Sequence, residues 1–206
     1  MKIIEEKYSW LSAPQKRAKT TYLVLHHAAS ASASAQTVHS WHRARGWKGI
    51  GYHYYVRKDG AIYRGRPENT VGAHCEDYNS CSIGICFEGN FETEQMSKNQ
   101  LSAGLELVSD ILSRYKGIKV KRHSELGKTA CPGRHFPFDE LSAGKISIEG
   151  EKMDEKKTGA SPWAESACKK AIEKKVFLGD GNGNYSWQEP LTREAFCVIL
   201  EKLGLL

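Results

Sequence analysis

The chain has 206 residues, 40% hydrophobic and 26% charged, with 30 Lys and Arg against 24 Asp and Glu for a formal net charge of +6. That length supports one good core plus a small appendage, and no run approaches the apolar length of a helical membrane span. The basic excess suits an acidic polymer, while the lack of a basic run interleaved with aromatics argues against nucleic acid.

Residues 1–19 read as a polar lead-in. Two acids, Glu5 and Glu6, break the apolar patch near the N-terminus, so the segment lacks the apolar middle of a secretory signal. The expectation is a protein held in the cytoplasm until released, with no membrane partner. Its six cysteines are scattered and read mostly as reduced thiols, although Cys75 and Cys81 are close enough to bridge under oxidising conditions.

The first strand is Thr21–His27, a β-branched and aromatic run ending in two histidines. Small residues from Ala28 to Ala35 follow as a loop at the strand's end. Gln36–Arg45 carries Val38, Trp41 and Ala44 at a three-residue step and stops at Gly46, which predicts a helix packed by that face. His39 and His42 share a helical face and are assigned to the helix surface. Tyr52–Arg57 and Ala61–Arg64 form a hairpin about Lys58, Asp59 and Gly60. Val71–Ser80 is a polar loop, Cys81–Glu88 an apolar strand, and Ser97–Tyr115 the main amphipathic helix. This alternation predicts a mixed α/β domain over residues 1–142, with helices flanking a central sheet.

Composition then shifts to a charged linker over 143–161, with almost no apolar bulk. Residues 162–206 read as helix, Gly-rich turn, helix: Trp163–Lys175, a turn over Gly179–Asn184, and Arg193–Leu203 capped by Thr192. About 45 residues is near the lower limit for folding alone, so this unit docks, forms homo-oligomers or belongs to a larger array.

Chemistry concentrates in Lys121–Gly133, where His123 and Cys131 lie eight residues apart just before a Pro-Gly stop. Imidazole and thiolate are both good zinc donors, and a catalytic zinc site takes three protein ligands, leaving a fourth position for water. His26 or His27 is the natural third donor.

Five stretches in this order resemble the type 2 zinc-dependent N-acetylmuramoyl-L-alanine amidases, a group that includes amidase endolysins and peptidoglycan recognition proteins. They are Leu23–His27, Gly51–Tyr54, Gly72–His74 with Tyr78 and Asn79, Ser82–Ile85, and His123 with Cys131–Gly133. The resemblance spans about residues 20–142. It implies a Zn2+ held by His26, His123 and Cys131, since the family's first ligand directly follows the apolar strand. It makes Tyr52 the active-site tyrosine, with Thr129, or Lys128 one step earlier, as the second group stabilising the oxyanion. His74 and Asn79 are expected to line the substrate groove. Where some bacterial relatives carry a catalytic Glu after the Ile-Gly-Ile strand, this chain has Cys86.

The implied reaction is hydrolysis of the peptidoglycan amide between the muramyl lactyl group and L-alanine. An endolysin is the leading reading, with a host autolysin, a non-catalytic recognition protein and a structural zinc site completed by His27 or His53 as rivals. The tail resembles a single S-layer homology module, through Ser161–Trp163, Gly179–Tyr185 and Leu191–Phe196. That likeness implies binding to an acidic secondary cell-wall polymer, with Arg193 pairing an anionic sugar group.

Overall fold

The structure, a computed structural model, describes residues 1–144, 165–174, 176, 193–202 and 204. Strands β1 (Ile3–Glu5), β2 (Tyr22–His27), β3 (Tyr54–Val56), β4 (Ile62–Arg64), β5 (Ser82–Phe87) and β6 (Lys119–Arg122) make one sheet in the order β1-β4-β3-β5-β2-β6. Only the β3–β4 hairpin is antiparallel; every other neighbouring pair is parallel. The helices are α1 (Ala35–Ala44), α2 (Lys98–Arg114), α3 (Phe138–Ala143), α4 (Glu165–Glu173) and α5 (Arg193–Lys202). The chain divides into two compact units, Met1–Ser147 and Ile148–Leu206, and the break falls inside the charged 143–161 segment.

Strand alternation gives the sheet two different faces. Leu23, Leu25, Ile83, Ile85 and Phe87 point to one face and join Leu105, Leu107, Val108 and Ile111 of α2 in the main core. On the other face, Cys86 and Tyr55 pack with Ile50 and with Ala35 and Val38 of α1. Helices therefore cover both faces, which is why β2 and β5 read as continuous apolar runs.

Ser97 caps α2 by accepting from the Gln100 amide, and the Gln100 side chain donates to the carbonyls of Val56 and Glu88. Where α2 presses on the core, a Cβ at Gly104 would lie 2.7 Å from Phe87 and 2.8 Å from Leu141. Gly104→Ala is expected to destabilise the fold by about 1–3 kcal/mol through overpacking, despite the better helix propensity of Ala. Urea denaturation of the apo protein measures this, and an unchanged midpoint would show that the helix shifts without cost.

Three expectations need correction. The lead-in is not merely polar: Ile3–Glu5 pairs in parallel with Ile62–Arg64 as an edge strand. The packed face of α1 is rotated from the expected one: Val38 is buried, but Trp41 is 40% exposed and His39 and His42 are buried beside Val38. Each of these histidines accepts a backbone N–H at Nδ1, from Ile50 and Gly51 respectively, so they serve the chain that follows the helix. The regular hairpin strand is also shorter than expected, Tyr54–Val56, although the Tyr52 carbonyl still accepts from the Arg66 amide in hairpin register while Gly51 gives its carbonyl to the Ala73 amide. The Gly179–Asn184 turn and the Thr192 cap lie outside the described residues.

Candidate metal centre

His26 and His123 meet because β2 and β6 are parallel neighbours. Leu25 pairs with Arg122, so the next residue on each strand lies at the sheet's C-terminal edge, where ligands collect in open α/β sheets. Their ring centroids are 4.5 Å apart. Cys131 returns to the same point because the Ser124 amide donates to its carbonyl at 2.8 Å, closing the loop that follows the 3-10 turn His123–Glu125. Donor atoms from His26, His123 and Cys131 all lie within 4.8 Å of one another. The Cys131 Sγ is 3.7 Å from His26 Nδ1 and accepts from the His27 amide at 3.4 Å.

Electrostatics favour neutral donors in need of a cation. Burial holds the His26 imidazole well below its ordinary pKa, with His123 adding to the effect. Burial also pushes the Cys131 thiol up to about 12, against the opposing pull of the His27 N–H. A thiol in such a place ionises readily only beside a positive charge, and a divalent ion supplies one. Two imidazoles and one sulfur are also the ligand types of catalytic zinc sites, so these residues fit the group.

Alternation sends His27 to the opposite face, where its Nδ1 accepts from the Phe91 amide at 3.2 Å and its ring stacks on Phe91. His53 is likewise committed: Nδ1 accepts from Gly84, and Nε2 lies 2.9 Å from the Thr70 carbonyl. Neither completes a fourth corner, which leaves the structural-zinc reading without its ligand.

Tyr52 stands beside the cluster, its ring 5.1 Å from that of His26. Burial raises its phenol well above the usual value, and Cys86, which pairs across the sheet with His26, adds to the effect. Thr129 is exposed, and its Oγ1 accepts from the Cys131 amide at 3.1 Å, holding the turn that presents the sulfur. Lys128 is exposed and has no polar partner among the described residues.

A cavity of about 680 Å³ adjoins the cluster, lined by His123, His74, Asn79, Trp47 and Arg66. His74 and Asn79 both sit at its wall, with the ring nitrogens of His74 and Oδ1 of Asn79 turned to the protein rather than to the cavity. Asn79 Oδ1 accepts from the His74 and Cys75 amides, and both ring nitrogens of His74 are engaged, by His26 and Ser82. The cavity instead presents Trp47, 37% exposed, a residue sequence reasoning passed over although it follows the helix-ending Gly46. Arg66 was missed too. It folds back onto the carbonyls of Ile50 and Val71, contacts with no local sequence signal. The side chain of Arg193 is outside the described set.

A mixed sheet carrying a three-donor cluster at the ends of two parallel strands, open to a cavity, defines an α/β protein with a candidate metal centre. The chain belongs to the N-acetylmuramoyl-L-alanine amidase family Amidase_2, whose sequence profile matches residues 16–134. Among solved structures it is similar to the N-acetylmuramoyl-L-alanine amidase LysC from Clostridium intestinale URNW, at 40% identity and a TM-score of 0.67, over 69% of this chain and 96% of that one. It is also 35% identical to peptidoglycan-recognition protein SC2 of Drosophila melanogaster, over 65% of this chain and 81% of the relative. The endolysin of Escherichia phage T7 is 29% identical, over 57% of this chain and 83% of its own.

Proposed function

We propose that residues 1–142 form a catalytic domain that hydrolyses the amide between N-acetylmuramic acid and L-alanine in bacterial peptidoglycan, as an endolysin. The observation that carries this reading is the presence of Cys131 beside His26 and His123, next to a cavity wide enough for a substrate. Zn2+ bound by these three residues supplies Lewis-acid polarisation of a carbonyl and lowers the pKa of water toward neutrality.

The protein's own groups do the rest. Trp47 and Arg66 bound the cavity in which the glycan and stem peptide lie. Tyr52, kept protonated by burial, donates its hydroxyl hydrogen to the developing oxyanion. Thr129 accepts from the Cys131 amide, which leaves its own hydrogen for the same oxyanion. Lys128 is the alternative donor at that position. The tail, residues 162–206 beyond a 143–161 linker, tethers the enzyme to an acidic secondary cell-wall polymer through Arg193 or associates with further copies of itself. Among the described residues no helix is long and apolar enough to cross a membrane. The reading places the protein in the cytoplasm until release, with the cell wall as its site of action.

The test is product analysis of purified peptidoglycan after incubation with the zinc-loaded protein. New L-alanine amino termini without new reducing sugars, abolished by a chelator and restored by Zn2+, are expected. Tight binding with no such termini would replace the amidase by a recognition protein.

A further inference from the structure

We infer that a hydrogen-bond relay, His26–His74–Ser82–Tyr78, fixes which nitrogen of His26 faces the metal centre, which makes His74 and Ser82 positioning residues. The inference rests on the metal-site reading above, yet the relay itself is read from the protein's own atoms.

One group in the relay has no choice of role. The Tyr78 carbonyl can only accept, and Ser82 Oγ lies 2.7 Å from it, so the single hydroxyl hydrogen of Ser82 points there. Toward His74 Nε2, at 3.3 Å, Ser82 can then offer only a lone pair, which requires that nitrogen to carry hydrogen. A neutral His74 protonated at Nε2 presents a lone pair at Nδ1. That atom lies 2.9 Å from His26 Nε2, so His26 donates from Nε2 and keeps its lone pair at Nδ1, the nitrogen 3.7 Å from the Cys131 sulfur. Two tautomers thus follow from one backbone carbonyl.

The ring at the middle of this relay is clamped. A Cβ at Gly72 would lie 2.5 Å from the His74 ring, and one at Gly84 would lie 2.6 Å from it. Both glycines leave space that the imidazole fills. The ring of His53 meets it edge-on at 5.6 Å. Metal-bound histidines generally donate their second N–H to a carboxylate, carbonyl or water. A second imidazole in that role is asymmetric: with the opposite tautomer it would donate to His26 Nε2 and place an N–H where a ligand lone pair is needed. Ser82 removes that alternative.

The direct test needs no variant. Long-range proton–nitrogen correlation on the metal-free full chain is expected to show His26 and His74 both neutral and protonated at Nε2. A His74 protonated at Nδ1 overturns the relay. Zinc affinity by chelator competition provides the second readout. His74→Phe, which keeps a ring but no polar atom, is expected to weaken binding roughly 10- to 100-fold. Gly84→Ala, which pushes the His74 ring out of position without deleting any hydrogen-bonding group of the relay, should change affinity in the same direction. Wild-type affinity in both variants, each melting as a folded apo protein, would also overturn the relay. Failure of the wild-type chain to bind zinc would instead remove the proposed function, with the tautomers still deciding the relay.

Discussion

Replacing Cys131 with Ala is expected to lower amidase activity by more than roughly a thousandfold, beyond the 10- to 100-fold typical of losing an outer-shell partner. Zinc affinity should fall with it. The sulfur is the one anionic donor available among His26, His123 and Cys131, and it is the group whose protonated form burial most favours without a cation. Cys131→Ser should fare little better, because a hydroxyl does not ionise where a thiol already resists. On the structural side the substitution removes two hydrogen bonds of modest worth, from the His27 amide to Sγ and between Sγ and His26 Nδ1, about 1 kcal/mol each. Melting of the apo variant therefore separates misfolding from loss of the site. Full activity in a folded Cys131→Ala protein would end the proposed mechanism.

The second large effect is on stability in mild acid. Burial holds His42 down to about 4, helped by Arg45 and Arg66, and burial holds His53 down to about 3. Both stay neutral in the fold because Nδ1 accepts a backbone N–H, from Gly51 and Gly84. In the unfolded chain each takes up a proton near pH 6.5. Below that pH the unfolded state binds more protons, so stability is complete above about 6.5 and drains as pH falls toward the folded values. Each group contributes a slope of about 1.4 kcal/mol per pH unit in that window, for a total of roughly 3 kcal/mol from His42 and roughly 5 kcal/mol from His53. Urea midpoints of the metal-free protein between pH 7 and 4 should show the decline. His42→Asn, which keeps an acceptor and cannot be protonated, should remove the share of His42 and make the decline shallower, with His53 still contributing. A midpoint constant over this range would refute the assignment.

A separate carboxylate loss lies lower. For Glu68, burial works to raise the pKa, but hydrogen bonds from Arg114, Tyr54 and Tyr115 together outweigh it and hold the carboxyl down at about 2. Its stabilisation is present above the ordinary carboxylate range and is lost only as pH falls toward 2.

Histidines divide what was legible in the sequence from what was not. The spacing of His123 and Cys131, and a strand ending in His26 and His27, were enough to nominate donors, because ligand chemistry is a property of residue type. The choice between His26 and His27 needed strand alternation and the register of β2 against β6. His39 and His42 were misassigned to the surface because helical spacing reports a shared face but not what covers it. Their partners, Ile50 and Gly51, come from a loop that periodicity does not see. Likewise the motif put His74 at the groove, but that its two nitrogens engage residues 48 and 8 positions away is a fact of the fold.

By itself the sequence determined the class of fold, the limits of β2, β5, α1 and α2 to within a residue or so, and the kind of metal chemistry available, because hydrophobic period and donor type are local properties. Tertiary structure alone decided that β1 joins the sheet edge, that Trp41 faces solvent while Trp47 edges the cavity, and which nitrogen of His26 looks toward Cys131. Those outcomes depend on atoms far apart in the chain whose hydrogen-bonding needs are met only once the strands are in register.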